Sequence, residues 1–144
     1  MTNEAQLERL VHFFETISLG TLDGQLGAIY AADACFKDPF NEVRGVAAIR
    51  TIFEHMFEQV DAPRFVVTTR VLQGSQAFLT WDFRFRMKRF AKHEQCIRGA
   101  THIVFDEHGA VSVHRDYWDA AEELYEKLPV LGALMRWLKR SANR

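Results

Sequence analysis

A chain of 144 residues has the size of one ordinary domain, and at 48% hydrophobic and 26% charged it reads as globular. That excludes a disordered tail, a collagen-like repeat and a disulfide-stapled miniprotein; burial of roughly 68–70% of the unfolded surface needs no metal or disulfide to hold a core. A net charge of −1 supplies no global field for nucleic acid, and no apolar run nears the roughly 20 residues of a membrane span.

Leu7, Leu10, Val11, Phe14 and Ile17 recur at helical spacing and predict a first helix over residues 4–19. Leu22, Leu26, Ile29 and Tyr30 predict a second, ending at Ala31-Ala32-Asp33. A strand from Ala34 to Asp38 then meets Pro39, which cannot donate to a ladder and closes it. Gly45 precedes a third helix, with Ile49, Ile52, Phe53, Met56 and Phe57 on one stripe, that stops before Pro63. From Arg64 the period drops to two, giving strands at Arg64–Leu72, Ala77–Phe90, Gln95–Phe105 and Ala110–Trp118. Gly74 and Asp106-Glu107-His108-Gly109 are tight-turn signals between them, and links this short make an antiparallel meander. Ala121, Leu124, Tyr125 and Leu128 predict a helix broken at Pro129, and Val130–Arg140 a last one. Helices first and a curved sheet after them define an α+β domain.

The unusual number is the 12% aromatic content, with twelve Phe and three Trp. So many rings can overfill a small core, and some can line a cavity. Phe53 and Phe57, on the apolar stripe of the third helix, are assigned to the core. Cys35 and Cys96 have no ligand spacing and read as thiols in a reducing cytoplasm, the expected location given the polar start Met1 to Arg9. No phosphate loop, dinucleotide fingerprint or zinc motif occurs, so no cofactor and no metal are expected.

Acidic residues and histidines among the rings remain as candidates. Asp38, in Phe36-Lys37-Asp38-Pro39-Phe40, either caps the turn at Pro39 or serves as a carboxylate base among aromatic rings. His114, Asp116 and Trp118 share strand parity, with Ser112 before them, and form either a satisfied pair or a proton-transfer site. His102 has the opposite parity to Thr101 and reads as structural. The basic run Arg84–Lys92, interleaved with Phe, reads as a solvated strand face, not a nucleic-acid surface. The apolar, basic-ended Val130–Arg140 segment covers an open end of the sheet, meets a partner copy, lies on a membrane or forms a lid.

Tyr30-Ala31-Ala32-Asp33-Ala34 leading to Asp38-Pro39-Phe40, then Gly45 with Ile49 and Phe53, Phe105-Asp106-Glu107-His108-Gly109 and Tyr117-Trp118 resemble the NTF2-like superfamily. More narrowly, the chain resembles its SnoaL-like and ketosteroid-isomerase-like branch over residues 5–120. The resemblance implies a cone of helices in a strongly curved antiparallel sheet, residues 1–128, with residues 129–144 as a C-terminal extension. It implies a homodimer through the convex face of the sheet. It also places a general base at Asp38, while Phe14 and Thr101 stand where ketosteroid isomerases carry their oxyanion-hole donors. Losing such a donor costs about 10²–10³ in rate, which argues against ketosteroid isomerisation itself. His114 and Asp116 fall on pocket-wall positions that are apolar in that enzyme, beside the retained Trp118, and SnoaL-like cyclases similarly use a late-strand acid.

The function expected is cofactor-independent acid/base chemistry on a hydrophobic small molecule: isomerase, cyclase, dehydratase or hydrolase. Asp38, Asp116 and His114 carry the chemistry; Phe14, Ile52, Trp81, Phe83, Thr101 and Trp118 hold the substrate. The alternative is a non-catalytic module that binds or senses a lipid or similar ligand, which the loss of a hydroxyl at Phe14 favours.

Overall fold

A computed structural model describes residues 2–88, 93–123 and 129–143. Helix α1 (Asn3–Glu15) starts where the Thr2 hydroxyl accepts from the Ala5 N–H, and it ends two residues before Ile17, the last of its apolar stripe, and four before the predicted end at residue 19. The reason is the next helix, α2 (Leu19–Ile29): the Thr21 hydroxyl accepts the Ser18 N–H at 3.1 Å and donates to its carbonyl, so the chain turns at Ser18. Strand β1 (Tyr30–Lys37) follows without a loop, four residues earlier than predicted. The short β2 (Glu42–Arg44), which the sequence reading does not contain, pairs back on β1. Helix α3 (Val46–Gln59) leads into β3 (Val60–Gln73), β4 (Gln76–Met87), β5 (Glu94–Phe105) and β6 (Val111–Tyr117). Pro63 is tolerated inside β3 because this is an edge strand, bulged between Asp61 and Arg64 with Ala62 at φ 50°.

The sheet runs β2-β1-β6-β5-β4-β3. β3 to β6 form the antiparallel meander, but β1 lies parallel to β6, so the sheet is mixed where the sequence reading made it antiparallel throughout. Short links force antiparallel neighbours only between consecutive strands; β1 and β6 are joined through most of the domain, which leaves room for a parallel crossover. On the concave face Ala34, Phe36, Leu79, Trp81, Ile103 and Val111 pack against Leu10, Phe13, Leu22 and Leu26 of the helices, all buried. Each side chain so buried contributes roughly 1.5–3 kcal/mol. Helix α1 is held along β3 by its own acids: Glu15 accepts the Val67 N–H on the sheet edge, and Glu8 pairs with Arg70 at 2.6 Å.

Two helices end the described chain, α4 (Ala120–Glu123) and α5 (Pro129–Ala142). The predicted helix positions Leu124, Tyr125 and Leu128 lie outside the described residues, as does the end of the basic run at residues 89–92. Pro129 opens α5, where a missing N–H costs nothing. Buried Glu123 fastens α4 to β5 by accepting from Arg98 at 2.9 and 3.1 Å, and those hydrogen bonds hold the Arg98 guanidinium pKa above its ordinary value. Cys35 on β1 and Cys96 on β5 are half-buried thiols. Among the described residues, no helix is long and apolar enough to cross a membrane.

Candidate active site

Four residues of β4, β5 and β6 and the first residue of β1 build a polar line through an aromatic interior. On β4 the benzene end of the Trp81 indole packs against Gly99 of β5, where a Cβ would come within 2.5 Å of the ring. So seated, its N–H donates to the Thr101 hydroxyl at 2.7 Å. Thr101 in turn donates to Asp116 Oδ1 at 2.7 Å, across the β5–β6 register pair that sets the two residues opposite each other. His114, two residues along β6, meets the same oxygen through Nε2 at 2.7 Å. Its other nitrogen, Nδ1, is 2.7 Å from the Tyr30 hydroxyl.

The donor chemistry fixes the sense of this line. An indole N–H only donates, so Thr101 accepts from Trp81 and gives its own proton to the carboxylate. Burial first, and the Asp116 charge second, push the Tyr30 hydroxyl well above its ordinary pKa near 10. Tyr30 therefore keeps its proton, and with the imidazole proton on Nε2, toward the Asp116 carboxylate, Nδ1 is the acceptor for that hydroxyl. Two arms thus converge on Oδ1, and among the described residues no hydrogen bond reaches Oδ2. The His114 side chain is 3% exposed and that of Asp116 19%, so the line runs from the dry interior to a partly open carboxylate. Phe14, Phe36 and Tyr30 surround the imidazole, with ring centroids 5.6, 4.5 and 5.9 Å away.

Asp116 stands between two spaces. Inward lies a cavity walled by Phe14, Phe53, Phe65, Val67, Trp81, Thr101, His114 and Asp116, with a free volume of about 20 Å³. That is room for about one water. Outward lies an open groove of about 520 Å³, lined by Lys37, Asp38, Arg115, Asp116, Tyr117 and Trp118 among others. The expected residues are therefore divided: His114 faces the inner cavity, Asp38 the outer groove, and only Asp116 lines both.

Asp38 is engaged in its own turn. Its Oδ1 accepts from the Phe40 and Asn41 N–H groups at 2.8 and 2.7 Å, and the Asn41 amide reaches both carboxylate oxygens at 3.0 and 3.1 Å. Trp118 closes the groove edge-on to Phe40, centroids 5.5 Å apart. Ile52 packs beside the core, and Phe83 stacks on Phe65 and Phe85; neither lines the inner cavity. Ser112 does not follow the parity of His114. A register shift after Val104 turns Val111 into the core, and the Ser112 hydroxyl donates to the Val104 carbonyl. His102 stacks on Phe78 at 4.5 Å, away from the site. Tyr30, Phe65 and Val67 were not foreseen as site residues. Tyr30 carries a helix-like spacing in the sequence, and only its parallel pairing with Val111 brings it to His114. Among the described residues, no cluster of His, Cys, Asp and Glu is arranged to hold a metal ion.

A helix-filled cone with an acid at the mouth of an aromatic interior defines an α+β NTF2-like protein. The SnoaL-like domain model matches residues 10–114, and the chain belongs to that family. Among solved structures it is similar to an NTF2-like protein of unknown function from Burkholderia pseudomallei: 16% identity, 85% of this chain and 95% of that one, TM-score 0.72. A Catenulispora acidiphila protein with a ketosteroid isomerase-like fold, in complex with trimethylamine, covers 83% of this chain and 88% of its own at 14% identity, TM-score 0.70. An LEH-like epoxide hydrolase from M. tuberculosis aligns at 15% identity over 84% and 85%, TM-score 0.65. These likenesses show the fold. No curated protein matches the sequence.

Proposed function

We propose that the protein is a cofactor-independent enzyme that moves a proton on a hydrophobic small molecule bearing an enolisable carbonyl, with Asp116 as its acid/base. The carrying observation is the division within one carboxylate: Oδ1 accepts from Thr101 and meets His114, while among the described residues no hydrogen bond reaches Oδ2. Oδ2 takes the proton from the carbon beside the carbonyl; the C–H electron pair moves toward the carbonyl oxygen as an enolate, and Oδ2 returns the proton to carbon. Thr101 and His114 hold the carboxylate in one rotamer throughout, and Trp81 and Tyr30 hold them in turn. Trp118, Phe40 and Tyr117 supply apolar surface for the substrate body at the groove. Asp38, committed to the Phe40 and Asn41 amides, shapes the groove wall.

The test is deuterium exchange in D₂O into a panel of hydrophobic cyclic ketones, followed by NMR. Wild-type protein and Asp38→Asn are expected to exchange alike, and Asp116→Asn to lose about 10²-fold or more. Equal exchange by Asp116→Asn and wild type overturns the assignment. The second reading, a binding or sensing module, is favoured by the inner cavity itself, which at about 20 Å³ holds no organic substrate. A tightly retained apolar ligand, with no exchange or turnover in any panel member, decides for that reading.

A further inference from the structure

Helix α5 has no role in the proposed chemistry, yet it is the most two-faced surface in the chain. Leu134, Trp137 and Leu138, spaced to share one face, are 50%, 55% and 46% exposed. Arg136, Lys139 and Arg140 fall at the helical positions around the opposite side, two of them in the last turn. Large apolar side chains left in water on one stripe mark a surface that meets something else.

Charge says what that partner is. The last sixteen residues, 129–144, hold four cations and no acid, in a chain whose net charge is −1; the first 128 residues therefore carry −5. All of the excess positive charge sits on one amphipathic segment of an otherwise acidic protein. At 14 residues the helix is about 21 Å long, too short to cross a bilayer but ample to lie along its surface. An interfacial helix places Leu and Trp at the acyl boundary and lets Lys and Arg reach the headgroups. We propose that α5 docks the protein in-plane on an anionic lipid surface, with Leu134, Trp137 and Leu138 inserted and Lys139 and Arg140 at the headgroups. The inference stands independently of the chemistry at Asp116. It adds that the substrate groove belongs to a protein held beside a membrane, where apolar molecules concentrate.

The full chain is mixed with vesicles of phosphatidylcholine containing about one-third phosphatidylglycerol and then sedimented. Wild type is expected to co-sediment, with release by high salt and weak binding to phosphatidylcholine alone. Trp137→Ser with Leu138→Ser is expected to weaken partitioning by tenfold or more, and Lys139→Gln with Arg140→Gln by roughly fivefold for each cation removed. Because Trp137 and Leu138 are exposed, the serine variant is expected to melt with the wild type, which keeps folding out of its result, and the melting curve of the glutamine variant is recorded beside its binding. Absence of sedimentation by wild type, or equal binding to neutral vesicles, overturns the proposal. So does a lipid-free wild-type dimer that Trp137→Ser turns into a monomer, since that makes the apolar stripe a contact between copies.

Discussion

Replacing Tyr30 by Phe removes one oxygen atom and tests the whole hydrogen-bonded line. The hydroxyl sits 2.7 Å from His114 Nδ1, in an imidazole 3% exposed. Tyr30→Phe removes this partner from a buried ring nitrogen, at a cost of about 1–3 kcal/mol. The same hydroxyl makes a pH signature. Its folded pKa lies well above the unfolded value near 10, chiefly through burial. Above pH 10 the unfolded chain loses this proton and the folded protein keeps it, so the folded state binds more protons and its stability falls as pH rises. The limiting slope is about 1.36 kcal/mol per pH unit, so about 1.4 kcal/mol is gone by pH 11. Urea denaturation of wild type and Tyr30→Phe from pH 8 to 11 reads both effects. Every other titrating group is common to the two proteins and cancels in the difference. The variant is expected to be less stable by about 1–3 kcal/mol at pH 8, with that gap shrinking by about 1.4 kcal/mol by pH 11. A gap unchanged up to pH 11 means the hydroxyl titrates as if exposed, and refutes the reasoning.

Gly99→Ala drives a Cβ to 2.5 Å from the Trp81 ring; the indole must shift, at about 1–3 kcal/mol in a denaturation curve, with altered tryptophan emission. Unchanged emission and stability would mean the ring is not seated on the glycine. Asp38→Ala strips the acceptor from two backbone amides and is expected to lower stability by about 1–3 kcal/mol while leaving ketone exchange intact. Exchange lost together with Asp38 would return the base to that position. The homodimer expected through the convex face predicts that Phe78→Asp, at a residue 51% exposed, lowers the mass seen by analytical ultracentrifugation. A monomeric wild type at micromolar concentration contradicts it.

What the sequence discloses follows the range of each signal. The apolar stripes of α1, α2 and α3 and the two-residue alternation of β4 are local, and they are legible to within a few residues. The alternation places Trp81 and Phe85 inward with Phe83 and Met87 beside them, as the buried pattern shows. The same alternation identifies His114 and Asp116 as neighbours on one face. It fails at Ser112, because a bulge of one residue inverts the face and leaves no trace in composition. It fails also for Tyr30, whose helical spacing with Leu26 conceals a strand start. The parallel β1–β6 pairing that carries Tyr30 to His114 joins residues some eighty positions apart, and no window of one sequence contains it. Asp38 reads in sequence as either turn cap or base for a related reason. Asp-Pro signals a turn, but only the folded loop shows Asn41 and Phe40 closing on both sides of the carboxylate.

The aromatic surplus then has a physical use that differs from lining a large hollow. Phe14, Phe36 and Tyr30 crowd His114, and Phe53, Phe65 and Trp81 close the floor below Asp116, leaving about 20 Å³. Rings packed this tightly leave space for about one water beside the hydrogen-bonded line, and each bond in it gains strength from the low dielectric around it. They also hold the imidazole so that it cannot rotate away from Asp116. The carboxylate is thereby fixed from behind and free in front. A bound molecule at the groove would meet one oxygen whose position is set by four buried side chains, and the rings pay for that rigidity with the volume a deep pocket would have needed. Under the proposed function, substrate recognition would fall to the open groove at Trp118 and proton transfer to Asp116, in the wall between groove and core.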